Sequence, residues 1–142
     1  MSNINFFCEE VDFKLPNKTC IIQWLEKTIS EESDKKILAI NYIFCSDAFL
    51  SKINLEYLAH DTYTDIITFN NSDSQQYIDS DIYISMERVF ENSSKYGENR
   101  IDELHRVMIH GILHLLGYPD SSDNEKKIMR KKENECLNLL KI

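Results

Sequence analysis

The sequence predicts an α+β (mixed α/β) domain: a small mixed sheet flanked by helices, with its chemistry carried on a helix of the C-terminal half. Three observations lead to this. Short β-branched and aromatic runs alternate with amphipathic stretches, and from Met86 onward the apolar spacing is helical. The chain's 142 residues suit one core, so residues 1–142 are read as a single domain.

The elements follow in order. Residues 4–8 form a short apolar run suited to an edge strand. Over residues 17–32, Cys20, Ile21, Trp24, Leu25 and Thr28 recur at helical spacing. Residues 37–45 (ILAINYIFC) are nearly continuously apolar and read as a buried strand. Ser46 can cap a helix reaching about Leu58, with Leu50, Ile53 and Tyr57 facing inward. A polar turn ending at Thr64 and Asp65 opens the strand 66–70 (IITFN), and an Asn/Ser/Asp-rich loop leads to the strand 81–85 (DIYIS). Helices are expected over 86–96, closed by Gly97, and over 101–116, closed by Gly117 with Pro119 beyond. A last helix opens at Ser122, where Glu125 completes a capping box.

Composition narrows the function. With 16 Lys+Arg against 24 Asp+Glu the net charge is −8, which argues against broad, non-specific nucleic-acid binding; no DNA partner is expected. A local basic face stays open, and Lys126, Lys127, Arg130, Lys131 and Lys132 place cations together on the last helix. The four cysteines (Cys8, Cys20, Cys45 and Cys136) contain no C-x-x-C pair and are expected to be reduced core residues. No apolar run approaches the roughly 20 residues of a membrane span. The N-terminus carries no basic region followed by a greasy stretch. A complete cytoplasmic domain without membrane contact is the expectation.

The segment HGILHLLGYPD, from His110 to Asp120, carries chemistry. Histidines four apart on a helix point to one side, so two imidazoles can converge on one ion. Gly117 can turn the chain back in a left-handed conformation, and Pro119 stiffens the return that presents Asp120. The metal-ligand set is therefore His110, His114 and Asp120. Three protein ligands leave a coordination position open, which is the style of a catalytic site. The same spacing occurs in metalloproteases that carry Glu directly after the first His, but here that position is Gly111. Two His and a carboxylate also match a non-haem iron triad, though nothing else in the chain suggests an oxygenase. Arg106 lies one turn before His110 on the same stripe and could meet a phosphate or pair with Asp102 or Glu103. His105 points elsewhere and is expected on the polar surface.

HGILHLLGYPD, together with NLEYLAHDTYTDIITF (residues 54–69) and SDIYIS (residues 80–85), resembles the YbeY family of bacterial rRNA maturation factors. The resemblance runs from about Leu50 to Leu140. It implies a single-strand-specific, metal-dependent endoribonuclease in ribosomal RNA processing and ribosome quality control. Its partners would be ribosomal RNA and the ribosome or a small-subunit protein, and its cofactor one Zn²⁺ per chain, with another divalent metal possible. The family motif places three histidines on zinc; His110 and His114 match, and Asp120 stands in the third position. Two imidazoles and a carboxylate leave a zinc site at +1, where three imidazoles leave +2, which makes harder metals more competitive. Leu58 occupies the position of a family Arg expected to contact phosphate, and His60 or Arg106 would have to replace it. Ser80 stands where the family has Gly. The competing readings are a non-catalytic ribosome-assembly factor with a structural metal site and, less favoured, a metallopeptidase.

Overall fold

The computed structural model describes residues 3–58 and 64–142. Along the chain run β1 (Ile4–Glu9), α1 (Lys18–Glu32), β2 (Lys36–Cys45), α2 (Asp47–Leu58), β3 (Ile66–Asn70), β4 (Tyr77–Ser85), α3 (Met86–Lys95), α4 (Arg100–Leu115) and α5 (Asp123–Leu139). The strands form one mixed sheet in the order β1-β2-β4-β3. β1 and β4 each pair parallel with β2, and β3 pairs antiparallel with β4. This is the expected α+β architecture. No helix among the described residues is long and apolar enough to cross a membrane.

The sheet's alternation decides what lies on each face. Ile40, Tyr42 and Phe44 of β2 and Ile82 and Ile84 of β4 bury one face against α1 and α4, forming the main core. The Tyr42 hydroxyl, deep in that core, donates to the Met108 carbonyl at 3.0 Å. Trp24 Nε1 donates to the Cys136 carbonyl at 2.8 Å, tying α1 to α5. On the opposite face α2 covers a smaller cluster of Cys45, Leu50 and Ile67.

Several local expectations change. β4 begins at Tyr77 rather than Asp81. Its early part reads as loop because Ser80 is polar, yet Ser80 is fully buried within the inward series Ile78, Ser80, Ile82, Ile84. Its hydroxyl is satisfied by the Phe69 carbonyl across the sheet at 2.7 Å. Asn17 lies outside α1 with φ 58° and makes no side-chain cap. The N-terminal half of β2 is only partly buried, because Lys36 and Leu38 face solvent. Tyr57 is exposed, with its ring edge-on to Phe69 at 6.0 Å. All four cysteines are free, but Cys8 and Cys20 are exposed rather than in the core.

His105 is the clearest correction. It is 4 % exposed, with its ring against Trp24 at a centroid distance of 6.2 Å, and its Nε2 finds no hydrogen-bond partner among the described residues. Burial lowers its pKa from the usual 6.5. The unfolded chain therefore takes up the proton first as pH falls. The stability due to neutral His105 is complete above pH 6.5 and is lost progressively below it, toward the folded-state pKa. Urea unfolding at pH 7.5 and pH 5.5 is expected to show a larger acid loss for wild type than for His105→Phe, which has no proton to gain. Equal losses would contradict this account.

Candidate metal centre

α4 begins at an Asn99 cap, whose side chain accepts from the Ile101 backbone, and its last turns project His110 and His114 into one cleft. The chain leaves the helix as the sequence predicts. Gly117 sits at φ 101°, and the amides of Gly117 and Tyr118 close onto the carbonyls of His114 and Leu113, each at 3.0 Å. The return brings Asp120 alongside the histidines. One ligand atom from each of His110, His114 and Asp120 lies within 4.8 Å of the others. Asp120 Oδ2 is 3.5 Å from His110 Nε2, and the two imidazole rings stand edge-on at 4.7 Å.

These residues stand in the wall of a cleft of about 890 Å³ between α4, β3 and α5. His114 is exposed and His110 and Asp120 are half-buried, so the set opens to solvent on one side. The donor set suits a divalent transition metal: two borderline nitrogens and one hard oxygen, with room left for a further ligand.

The surroundings tune the ligands in opposite directions. Burial pulls His110 down, but the hydrogen bond and charge of Glu133, with the charges of Asp120 and Asp65, outweigh it and raise its pKa. Burial and the neighbouring His110 lower that of His114. Glu133 is penalised by burial, yet its bonds to His110 and Arg106 hold its carboxyl below the ordinary range. Asp65, at the mouth of β3, lines the same cleft, and burial raises its carboxyl.

Arg106 lies on the cleft wall, one turn before His110, with a side chain 14 % exposed. Its guanidinium pairs with Glu133 at 3.0 Å and with the Asn134 side chain at 2.8 Å, both on α5. The expected basic face of α5 is divided by helical rotation. Lys126 and Arg130, four apart, turn into the cleft, whereas Lys132 pairs with Glu32 of α1. His60 lies outside the described residues, and the Leu58 side chain is likewise not described.

Glu133 is the site residue that sequence reasoning missed. It was hidden in a charged run, yet Met129, Glu133 and Cys136 form the buried stripe of α5 at i, i+4 and i+7. A carboxylate within such a stripe needs a partner, and that was the available signal.

Comparison with known proteins identifies a family. The sequence model of the family described as endoribonuclease YbeY matches residues 3–141. An endoribonuclease YbeY of Amoebophilus asiaticus is 49 % identical over 133 residues, covering 94 % of this chain and 90 % of the relative. One of Christiangramia forsetii is 49 % identical over 139 residues, covering 98 % and 95 %. A solution structure of a Thermotoga maritima protein superposes with a TM-score of 0.65 at 25 % identity, covering 95 % of this chain and 87 % of that one. A family match along nearly the whole chain, and relatives at this identity, leave one assignment: the chain belongs to the endoribonuclease YbeY family.

Proposed function

We propose that the protein is a metal-dependent endoribonuclease that cuts single-stranded RNA during ribosomal RNA maturation and ribosome quality control in the cytoplasm. On this reading it acts on rRNA in company with the ribosome or a small-subunit protein. The observation that carries the reading is the convergence of His110, His114 and Asp120 in the wall of an open cleft. The names of the family and of its curated members support RNA as the substrate.

His110, His114 and Asp120 would hold the ion, with Zn²⁺ the first choice for this donor set. A divalent ion here supplies Lewis acidity toward a phosphodiester and lowers the pKa of water. The remaining work falls to the chain. Lys126 and Arg130 stand on the cleft's α5 side, and the Arg130 side chain, 57 % exposed and held to Glu133 only by a long 3.8 Å ion pair, can turn to meet a backbone phosphate. Arg106 and His60 were the expected phosphate contacts. Arg106 reaches the cleft but already serves Glu133 and Asn134, so Arg130 and Lys126 are the better placed cations. The open cleft suits a flexible single strand, whose phosphates can enter without distortion of a duplex.

The test is cleavage of single-stranded and duplex RNA by the zinc-loaded protein, by the chelated protein and by His114→Ala. We expect single-strand cutting to fall at least about a hundred-fold in the last two, as loss of an ion with its ligand implies. Undiminished cleavage in His114→Ala would overturn the mechanism. Zinc binding with no cleavage of any RNA would favour the assembly-factor reading.

A further inference from the structure

The two nitrogens of the His110 ring face different partners. Nε2 lies toward Asp120 and the open side of the cleft, 3.5 Å from Oδ2. Nδ1 lies 2.7 Å from Glu133 Oε2, on the opposite side of the ring. Glu133 is itself fixed. Its carboxylate is 6 % exposed, and its other oxygen accepts from Arg106 Nη1 at 3.0 Å, with Arg130 Nη1 at 3.8 Å. Arg106 is anchored in turn by the Asn134 side chain at 2.8 Å.

We propose that Glu133, clamped by Arg106, is the positioning residue for the His110 ligand: it accepts the Nδ1 proton and so presents Nε2, with its lone pair, to the metal. This deepens the proposed function and rests on the metal site named there. A carboxylate that accepts from one ring nitrogen can act only on the tautomer carrying its proton at that nitrogen, so the other nitrogen is left as the donor to the ion. The same contact fixes the ring's rotation about χ2 and makes Nε2 more basic. Glu133 is not itself a ligand in this arrangement, because both its oxygens are engaged behind the ring. The chain of contacts also places control of the ligand on a different helix. α5 carries Glu133 and Asn134, and α4 carries His110 and Arg106, so the site is rigid only while the two helices are docked.

A merely structural Glu133 would bind α5 to α4 and leave the metal indifferent to it. Two measurements separate the cases, and neither depends on RNA cleavage. The first is calorimetric Zn²⁺ titration of wild type, Glu133→Gln and Arg106→Met, each checked for a folded state by circular dichroism. The Gln side chain keeps the volume but loses the charge and turns an amide toward one donor. Zinc affinity is expected to fall about 10–100-fold for Glu133→Gln, the range seen when a ligand histidine loses its carboxylate partner, and by less for Arg106→Met. The second is long-range ¹H–¹⁵N NMR of the metal-free wild type above pH 8, which needs no variant. It is expected to show His110 protonated at Nδ1. Wild-type zinc affinity in folded Glu133→Gln, or an Nε2-protonated His110 in the wild type, would overturn the proposal. It would leave the three-ligand reading of the site intact, since that is tested by substitution of the ligands.

Discussion

Asp120→Ala is expected to lose zinc affinity by at least about a hundred-fold while leaving the protein folded. The first half follows from ligand number. Structural zinc sites with four ligands bind with roughly 10–16 kcal/mol, or about 3 kcal/mol per ligand, and a two-histidine remnant keeps little of that. The second half follows from where Asp120 sits. It lies in the turn beyond Gly117, half-buried, and takes no part in starting α5, because that cap is the reciprocal pair of Ser122 and Glu125. Its removal is therefore expected to change stability by no more than about 1 kcal/mol in the metal-free protein, the most that its partly exposed contact with His110 contributes. Asp120→His gives the complementary result. It restores three imidazoles and raises the site's charge by one, so zinc affinity is retained and the pH profile of cleavage shifts toward lower pH. Calorimetric titration of the three proteins checks the first expectation and a pH–rate series the second. Equal zinc affinities for wild type and Asp120→Ala would strike Asp120 from the ligand set.

The site was legible in the sequence to the extent that it is local. His110, His114, Gly117 and Asp120 lie within eleven residues, and helix geometry with one glycine turn is enough to bring their side chains together. Element types were legible for a similar reason, since each depends on periodicity inside its own segment. What depends on distant partners was not. His105 looks like a polar residue on a helix until Trp24, eighty-one positions earlier, is seen against its ring. Glu133 looks like one charge in a solvated run until α5 packs against α4 and brings His110 and Arg106 to it. The division of the basic run between cleft and α1 is likewise set by how α5 docks, not by its composition.

Gly111→Glu is expected to cost about 3–5 kcal/mol of stability and to yield no peptidase. The position follows the first metal histidine, where proteases of similar spacing carry their general base, so this substitution makes the sequence look more like a peptidase. The fold opposes it. His110 and His114 face the cleft, and Gly111 is turned about 100° from His110 around the helix, onto the sheet. A Cβ there would meet Ile66 Cδ1 at 3.1 Å, Thr68 Oγ1 at 3.2 Å and Ile82 Cδ1 at 3.4 Å. With no side chain at residue 111, α4 packs this closely on β3 and β4 without displacing those side-chain ends, and so sets His110 over the cleft. A glutamate would overpack the interface, at roughly 1–3 kcal/mol, and would also carry a carboxylate between Ile66 and Ile82, beside the Thr68 hydroxyl, at a desolvation cost. Gly111→Ala separates the two costs. The isoleucine tips can yield by a few tenths of an ångström, and alanine favours the helix by about 1 kcal/mol, so its net change is expected to stay within about 1 kcal/mol of zero. Urea denaturation of both variants, with a casein digestion assay, is the measurement. A Glu variant as stable as wild type would show that the α4–sheet contact is looser than these distances imply, and casein cleavage by that variant would reopen the peptidase reading.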